Sequence, residues 1–537
     1  MELVAAPPPH PAARLHPARL DALAQGVARP AYVRGALRAG IVHLGLGAFA
    51  RAHLAAVNEA ALHAGADRGW GICGVSLRQT DTRDALAPQD GLYTLALRSA
   101  NAAGQAEQQA AVIGCLLETL VAPEDPQAVL DRIANADTRI VSVTVTEKGY
   151  CHDPATGQLN LGHPDIVHDL SQPAAPRSTI GFLVWGLQRR RAAGLGPVTL
   201  LSLDNLPSNG HLLRGMVLAF AGQVDGGLAA WIASSCAFPC SMVDRIVPRT
   251  TDEDRSCVEA AIGLRDAWPV LAEPYLEWVI EDQFAAGRPD WTVGGARFVD
   301  QAAPFETLKL RMVNGAHSAL AYLSVMAGWS TVDQAVSQPA LRRYLAELMR
   351  DEIVPTLPAL PGLDLAQYQA RLLQRYANPA LKHQTRQIAM DGSQKMPQRL
   401  LDTVRARLAA DQPIPGLALA VAGWLHFLRG VDQAGRRYDI QDPMADTLAR
   451  QYLLAEQAAA QADEQAKEQA GEQAGEQAGK GPAAMLAWAT SLTGLASVFG
   501  DLGQDPRFVR AVAQAAQSLR SQGVAGALAA LAPSKVG

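Results

Sequence analysis

Residues Gly40–Ala50, GIVHLGLGAFA, decide the fold. Ile41, Val42 and Leu44 form a short apolar run that stops at glycines. From Ala50 the chain continues as ARAHLAAVNEAALHAG, with helical periodicity. A strand that ends in G-x-G-x-x-A and opens a helix has two readings. One is a plain tight turn. The other is a dinucleotide cradle, in which Gly45 permits the turn and Gly47 lets the backbone approach a pyrophosphate at the helix N-terminus. Ala50 takes the third small position, and Phe49 lies within the same cofactor turn.

Downstream, the pattern repeats. WGICGVSL, RIVSVTVTEKGY and PVTLLSLDNL are short β-type runs separated by Ala/Leu-rich helical segments. Such alternation implies βαβ units and a mostly parallel sheet, which favours the dinucleotide reading. Beyond ETLKLRM the chain reads as helix after helix, broken at PTLPALPGLD and DGSQKMP. The expected fold is α/β: an N-terminal Rossmann-type doubly wound sheet over residues 1–300, then a mostly α-helical C-terminal domain over 301–537. The boundary falls between about 295 and 308. Residues 1–35, Pro- and Ala-rich at the start and lacking a continuous apolar stretch, read as a frayed or wrapping tail. Within the helical part, residues 456–482 form a low-complexity insert. Its core, DEQAKEQAGEQAGEQAGKGP (Asp463–Pro482), is polar on all faces and reads as a solvated insertion.

Composition narrows the function classes. The chain has 537 residues, 49% of them hydrophobic, with 47 Lys and Arg against 52 Asp and Glu, or −5 net. That balance carries no electrostatic footprint for nucleic acid or an anionic membrane. No apolar run reaches the ~18–20 residues that span a bilayer. The six cysteines are scattered, and only Cys236 and Cys240 are close in sequence, with no histidine at zinc-ligand spacing. Buried thiols of a reduced, cytoplasmic protein are expected, with no metal site.

Several polar residues sit where chemistry would be. Asp81 follows the second strand, where a carboxylate would accept from ribose hydroxyls and repel a 2′-phosphate, favouring NAD; Arg78 beside it would suit NADP, and a helix cap is the plainer role. Glu147 and Lys148 in VTVTEKGY, and Asn205 in SLDNLPSNG, lie at strand C-termini, where open α/β sheets bind ligands. Asp204 and Asn209 read as turn formers. Asp244 lies in an apolar context with Arg245, and an ion pair between them is the structural alternative. In KLRMVNGAHSALAYL (Lys309–Leu323), regular helical geometry places Glu306, Lys309, Asn314 and His317 within a ~140° arc. A lysine buried there would have a lowered pKa and serve as a general base. Asn314 could donate to a developing alkoxide, and His317 could hold a substrate hydroxyl. The alternative is a snorkelling Lys309 and a capping Asn314.

Together, IVHLGLGAFARAH, TEKGY, DNLPSNG, MVDRIVP, EPYLEWVIEDQFAAGRPDW, KLRMVNGAHS and DGSQKMPQR resemble the polyol-specific long-chain dehydrogenases, the mannitol 2-dehydrogenase and fructuronate reductase group. The resemblance runs from about Gly40 past Tyr438. It implies a zinc-independent oxidoreductase using NAD (NADH) on an open-chain polyol or sugar acid and its 2-keto form. Lys309 would be the general base, and Asn314 and Asn205 the amides that stabilise the alkoxide. His317 would orient substrate and Glu306 would gate proton exchange with water. Asp244 and Lys395 would contact substrate hydroxyls. Gly45, Gly47, Phe49, Asp81 and Glu147 would hold cofactor.

There are departures. The family usually has histidine where this chain has Ala50. Mannitol enzymes can carry arginine at position 387, which is Gln387 here, and can read TEGGY where this chain reads TEKGY. Gln387 and Lys148 lean toward fructuronate reductase, with Lys148 a partner for a uronate carboxylate. DNLPSNG, DALAPQDGLYTL and DAWPVLAEPYLEWV lean toward mannitol dehydrogenase, so oxidation of D-mannitol to D-fructose is the leading reading. A catalytically silent NAD-binding sensor is a third. The expected partners are small molecules, with neither nucleic acid nor membrane, in a monomer or small homo-oligomer.

Overall fold

The computed structural model describes residues 13–100, 106–153, 156–360, 362–470 and 481–531. The chain divides into two compact units, Met1–Glu306 and Thr307–Gly537. The division falls inside the helix Ala303–Leu308.

The first unit is built on a five-stranded parallel sheet in the order β5-β2-β1-β6-β7. Its strands are β1 (Ala39–Leu44), β2 (Gly71–Ser76), β5 (Leu116–Val121), β6 (Ile140–Val143) and β7 (Thr199–Ser202). Val42 aligns with Cys73 on one side and Val141 on the other, and Val141 with Leu200. β1, β2, β6 and β7 are buried on both faces, as a parallel sheet under helices must be, whereas the edge strand β5 is half-buried along its middle. Val42 and Leu44 pack with Ile133, Leu183 and Phe220 on one face, whereas Ile41 packs with Leu54, Val57 and Leu62 on the other. Strand order reverses between β1 and β6, and that switch point is where a doubly wound sheet opens a crevice.

Two small sheets, which the alternation pattern does not announce, complete this unit. One joins β3 (Tyr93–Ala100), β4 (Ala106–Ile113) and β9 (Val270–Ala272); the other joins β8 (Ser241–Asp244), β10 (Glu277–Glu281) and β11 (Ala296–Val299). Residues 13–35 wrap rather than fray. Leu15 is fully buried beside Leu92, Val112 and Ile262, and its amide donates to the Arg265 carbonyl. Residues 1–12 lie outside the described residues. All six cysteines are free thiols.

The second unit is helical throughout. Its central helix, Gly315–Ala327, is apolar on nearly every face and packs against the equally buried Pro415–Phe427. The repeat region needs correction at its start. The helix Ala445–Ala470 buries Tyr452, Ala455 and Ala459, and Glu456 pairs with Arg520, so at residues 456–459 one face of the helix still packs on the core. From Glu464 to Glu468 the helix is exposed, as a solvated segment would be. Residues 471–480 lie outside the described residues. Among the described residues, no single helix is long and apolar enough to cross a membrane.

Candidate active site

Two constellations hold the predicted residues, one in each unit. In the first unit, the glycine turn follows from close approach. Gly45 has φ +94°, and a Cβ there would lie 2.1 Å from the Thr144 carbonyl at the end of β6. Only glycine fits this junction of β1 and β6. Gly47 is exposed and heads the short helix Ala48–Ala52, and a Cβ there would meet nothing nearer than the Gly45 carbonyl at 3.9 Å. The turn therefore leaves bare backbone at the switch point, which fits a diphosphate. Phe49 stacks on His53, ring centroids 4.9 Å apart.

Asp81 is exposed in the first turn of the helix Asp81–Leu86, where its carboxylate accepts the Thr82 amide. It also lines a cavity of about 670 Å³ with Gly47, Arg51, Gln79 and Arg249. The cap and an open position beside the glycine turn thus coexist. At the C-terminal ends of β2 and β5, a second cavity of about 500 Å³ is lined by Leu77, Arg78, Ala122, Pro123, Arg177 and Phe182. Its place at the sheet edge suits the distal half of a dinucleotide. A third cavity, about 610 Å³, lies between Pro413–Leu419 and the helix Pro506–Ala530, and no predicted site residue lines it.

Asp204 turns out to be more than a turn former. It is buried, and its carboxylate accepts from the Val145 amide at 2.9 Å, the Thr146 amide at 2.8 Å and the Tyr150 hydroxyl at 2.8 Å. Burial pushes its pKa up, against these donors. One side chain therefore grips the loop that carries Glu147 and Lys148, where Thr146 sits at φ +61°. The next residue, Asn205, is exposed at the same strand end. Asn209, fully buried, bonds the Asp204 carbonyl and both the amide and the carbonyl of Ser241, tying β7 to β8. Asp244 closes β8 opposite Glu277, and Arg245 donates to the carbonyls of Glu273 and Ala52. Glu147 and Lys148 are both exposed. Glu306 accepts the Ser208 amide at 3.0 Å.

In the second unit, the helix does run through Asn314-Gly315, but not with regular geometry. Residues Lys309–Asn314 form a π-helical turn, and the Gly315 amide reaches back to the Leu310 carbonyl. Five α-helical residues leave positions i and i+5 about 140° apart. A π turn closes i to i+5 and brings them toward one side, which corrects the regular arc expected above. Lys309 is 6% exposed and Asn314 is half-buried. Tyr376 supports the turn twice: its hydroxyl donates to the Val313 carbonyl at 2.9 Å, and its ring stacks on His317 with centroids 4.2 Å apart. Gly315 is needed because a Cβ there would meet the Arg399 carbonyl at 2.7 Å. Arg399 in turn donates to Ser318.

Lys395 is half-buried and donates to the Met390 carbonyl at 2.6 Å. Burial, and then the charge of Arg399, lower its pKa, with Asp391 opposing. Gln387 is exposed on the short helix Thr385–Ile388. Asp204, Asn209, Tyr376 and Arg399 were not predicted as site residues. Motif spacing marks Asp204 and Asn209 as polar residues at a strand end but says nothing of their burial.

Comparison with known proteins decides the family. Residues 39–293 match the mannitol dehydrogenase Rossmann domain, and residues 301–520 match the mannitol dehydrogenase C-terminal domain. The chain belongs to the mannitol dehydrogenase family. Within that family it is 42% identical to the D-mannonate oxidoreductase of Escherichia coli K12, over 94% of this chain and 98% of that protein. It is 38% identical to a mannitol 2-dehydrogenase of Pyrenophora tritici-repentis, over 93% of this chain and 83% of that one. The fold matches the Pseudomonas fluorescens mannitol 2-dehydrogenase, solved as a ternary complex with NAD and D-mannitol, at TM-score 0.78 and 35% identity, covering 96% of this chain and 99% of the other. The chain is thus an oxidoreductase on a two-part Rossmann-plus-helical scaffold.

Proposed function

We propose that the chain is an NAD-dependent, zinc-independent dehydrogenase that interconverts an open-chain polyol or sugar acid with its 2-keto form, with D-mannitol and D-fructose the leading pair. The observation that carries this reading is the buried Lys309 on a π-helical turn, with Asn314 five residues on and His317 stacked in place. In oxidation, Lys309 takes the proton of the substrate's secondary hydroxyl. Asn314 and Asn205 donate to the oxygen as negative charge develops. His317, fixed by Tyr376, orients the hydroxyl, and Glu306 passes the proton on to water. Asp244 and Lys395 bind neighbouring hydroxyls. Gly45, Gly47, Phe49, Asp81 and Glu147 would hold NAD, whose bound nicotinamide supplies the hydride acceptor. Reduction reverses these roles.

A second substrate reading, D-mannonate and D-fructuronate, is favoured by exposed Lys148, a cation available to a carboxylate, and by the mannonate oxidoreductase relative. The silent-sensor reading has no support among relatives that are themselves oxidoreductases. Purified protein mixed with NADH and fructose, then with fructuronate, separates the alternatives. NADH loss is expected with at least one, and the ratio of rates picks the substrate. No loss with any ketose or keto-uronate would sink the enzymatic reading.

A further inference from the structure

Three residues far apart in sequence converge in the first unit. His211, Cys240 and Glu281 place one ligand atom each within 4.8 Å of one another, the one such group found among the described residues outside the site above. Sequence spacing hides it, because the members lie on a helix, a strand entry and a strand end.

The backbone under all three is fixed. Cys240 and Glu281 face each other where β8 meets β10: the Cys240 amide donates to the Glu281 carboxylate at 2.9 Å, and the Glu281 amide to the Cys240 carbonyl at 3.0 Å. The second carboxylate oxygen accepts the Ala302 amide at 3.2 Å. Each oxygen keeps a lone pair for a further partner. The helix Asn209–Val224, which carries His211, is pinned to β8 by the paired Asn209–Ser241 bonds. Its approach is so close that a Cβ on Gly210 would lie 2.5 Å from the Phe238 and Pro239 carbonyls. Amides of Gly210 and His211 bear on Cys240 Sγ and favour its thiolate, although burial pushes the thiol up to about 11. His211 itself is exposed, so its ring is free to rotate onto a ligand.

We propose that His211, Cys240 and Glu281 form a binding site for a zinc-class divalent cation. Thiolate, imidazole and carboxylate are the donors that such a borderline ion takes, with water as a fourth ligand. Binding breaks the Cys240 S–H bond, releases that proton to solvent and forms the S–metal bond. The two anionic ligands then cancel the cation's charge, so the half-buried site is left neutral. Zinc needs ligand atoms about 3.3–3.8 Å apart, given bonds of about 2.0–2.3 Å in a tetrahedron; the three atoms lie within 4.8 Å of one another, and exposed His211 is the member with room to move.

The site also faces the proposed proton gate. The charge of Glu306 reaches Cys240 and raises its pKa, and Glu306 accepts the Ser208 amide three residues before His211. Occupancy sets a cation beside Glu306 and slows turnover, a consequence that rests on the role proposed for Glu306.

The test titrates cobalt(II) into the full-length enzyme. A near-ultraviolet thiolate-to-cobalt band saturating at one ion per chain is expected, displaced by zinc. Cys240→Ser should abolish the band, His211→Ala should weaken binding at least tenfold, and Cys257→Ser, at the exposed cysteine, should keep it. No band, or an equal band in Cys240→Ser, overturns the site, whatever the turnover. NADH oxidation assayed with zinc should fall over the same concentration range and resist zinc in His211→Ala. Zinc-insensitive turnover with the cobalt band intact overturns the regulatory part alone.

Discussion

The two units hold their proposed functional residues by opposite means. In the Rossmann unit, the loop that carries Glu147 and Lys148 is an irregular strand end gripped by a single buried carboxylate, Asp204. In the helical unit, Lys309 and Asn314 are placed by the register of the backbone itself, a π turn braced by Tyr376 and followed by Gly315, where the Arg399 carbonyl leaves no room for a Cβ. A loop has no internal hydrogen-bond ladder, so its conformation must be bought with side-chain acceptors. A helix supplies its own ladder, so packing needs only to choose which register it takes. Function in the first unit should be sensitive at one clamp, and in the second at the chemistry the turn displays.

The largest effect is expected on the turn. Lys309→Ala should cost about 10²–10⁴ in turnover with NADH affinity nearly unchanged, measured by steady-state kinetics and fluorescence titration. Turnover close to wild type would make Lys309 structural and erase the contrast.

Acid should strain both units through one histidine each. His43 on β1 and His426 in the helix Pro415–Phe427 are fully enclosed, and burial pushes each down to about 4. Folding therefore favours the neutral rings. The stability this gives is complete above the unfolded value of about 6.5 and is lost as pH falls toward 4, by about 3 kcal/mol for each ring. Melting curves from pH 7 to 4.5 should show the loss. A flat profile, or one unchanged by His43→Asn, would refute it.

Asp204→Ala leaves two loop amides and the Tyr150 hydroxyl without their acceptor. It should lower stability by about 2–4 kcal/mol. NADH should bind more weakly, while the bound complex keeps more of its turnover than Lys309→Ala does. Unaltered NADH affinity would show that the loop holds its shape without the clamp. Asp81→Ala should shift cofactor preference toward NADP by about tenfold, or about 1.4 kcal/mol; an unchanged ratio would reduce Asp81 to its cap on Thr82. The smallest effect belongs to deletion of residues 465–479. It should leave activity intact and stability within about 0.5 kcal/mol, and a chain that failed to fold would show that the repeat packs.

Local sequence carried much of the fold. The alternating runs announced the parallel sheet, because a strand buried on both faces must be continuously apolar and each crossover needs a helix. The glycine spacing at Gly45 and Gly47 announced a tight turn at the end of β1, where the Thr144 carbonyl excludes a Cβ on Gly45. The small sheets of β3, β4 and β9 and of β8, β10 and β11 were not legible, because they pair residues distant in the chain. Nor was the start of the repeat region, where Ala459 looks like its solvated neighbours yet packs in the core.

By itself, the sequence determined which residue types are available for chemistry: a lysine, an asparagine and a histidine in an apolar helix, and a carboxylate after the second strand. Only the tertiary structure decided their settings. Tyr376 braces the turn at Lys309 in π register, and burial makes Asp204 a clamp where local rules read a bend. Three residues between 211 and 281 converge as the proposed ligand set. The physical reason is shared. Register, burial and convergence depend on what packs against a residue, and those partners lie elsewhere in the chain.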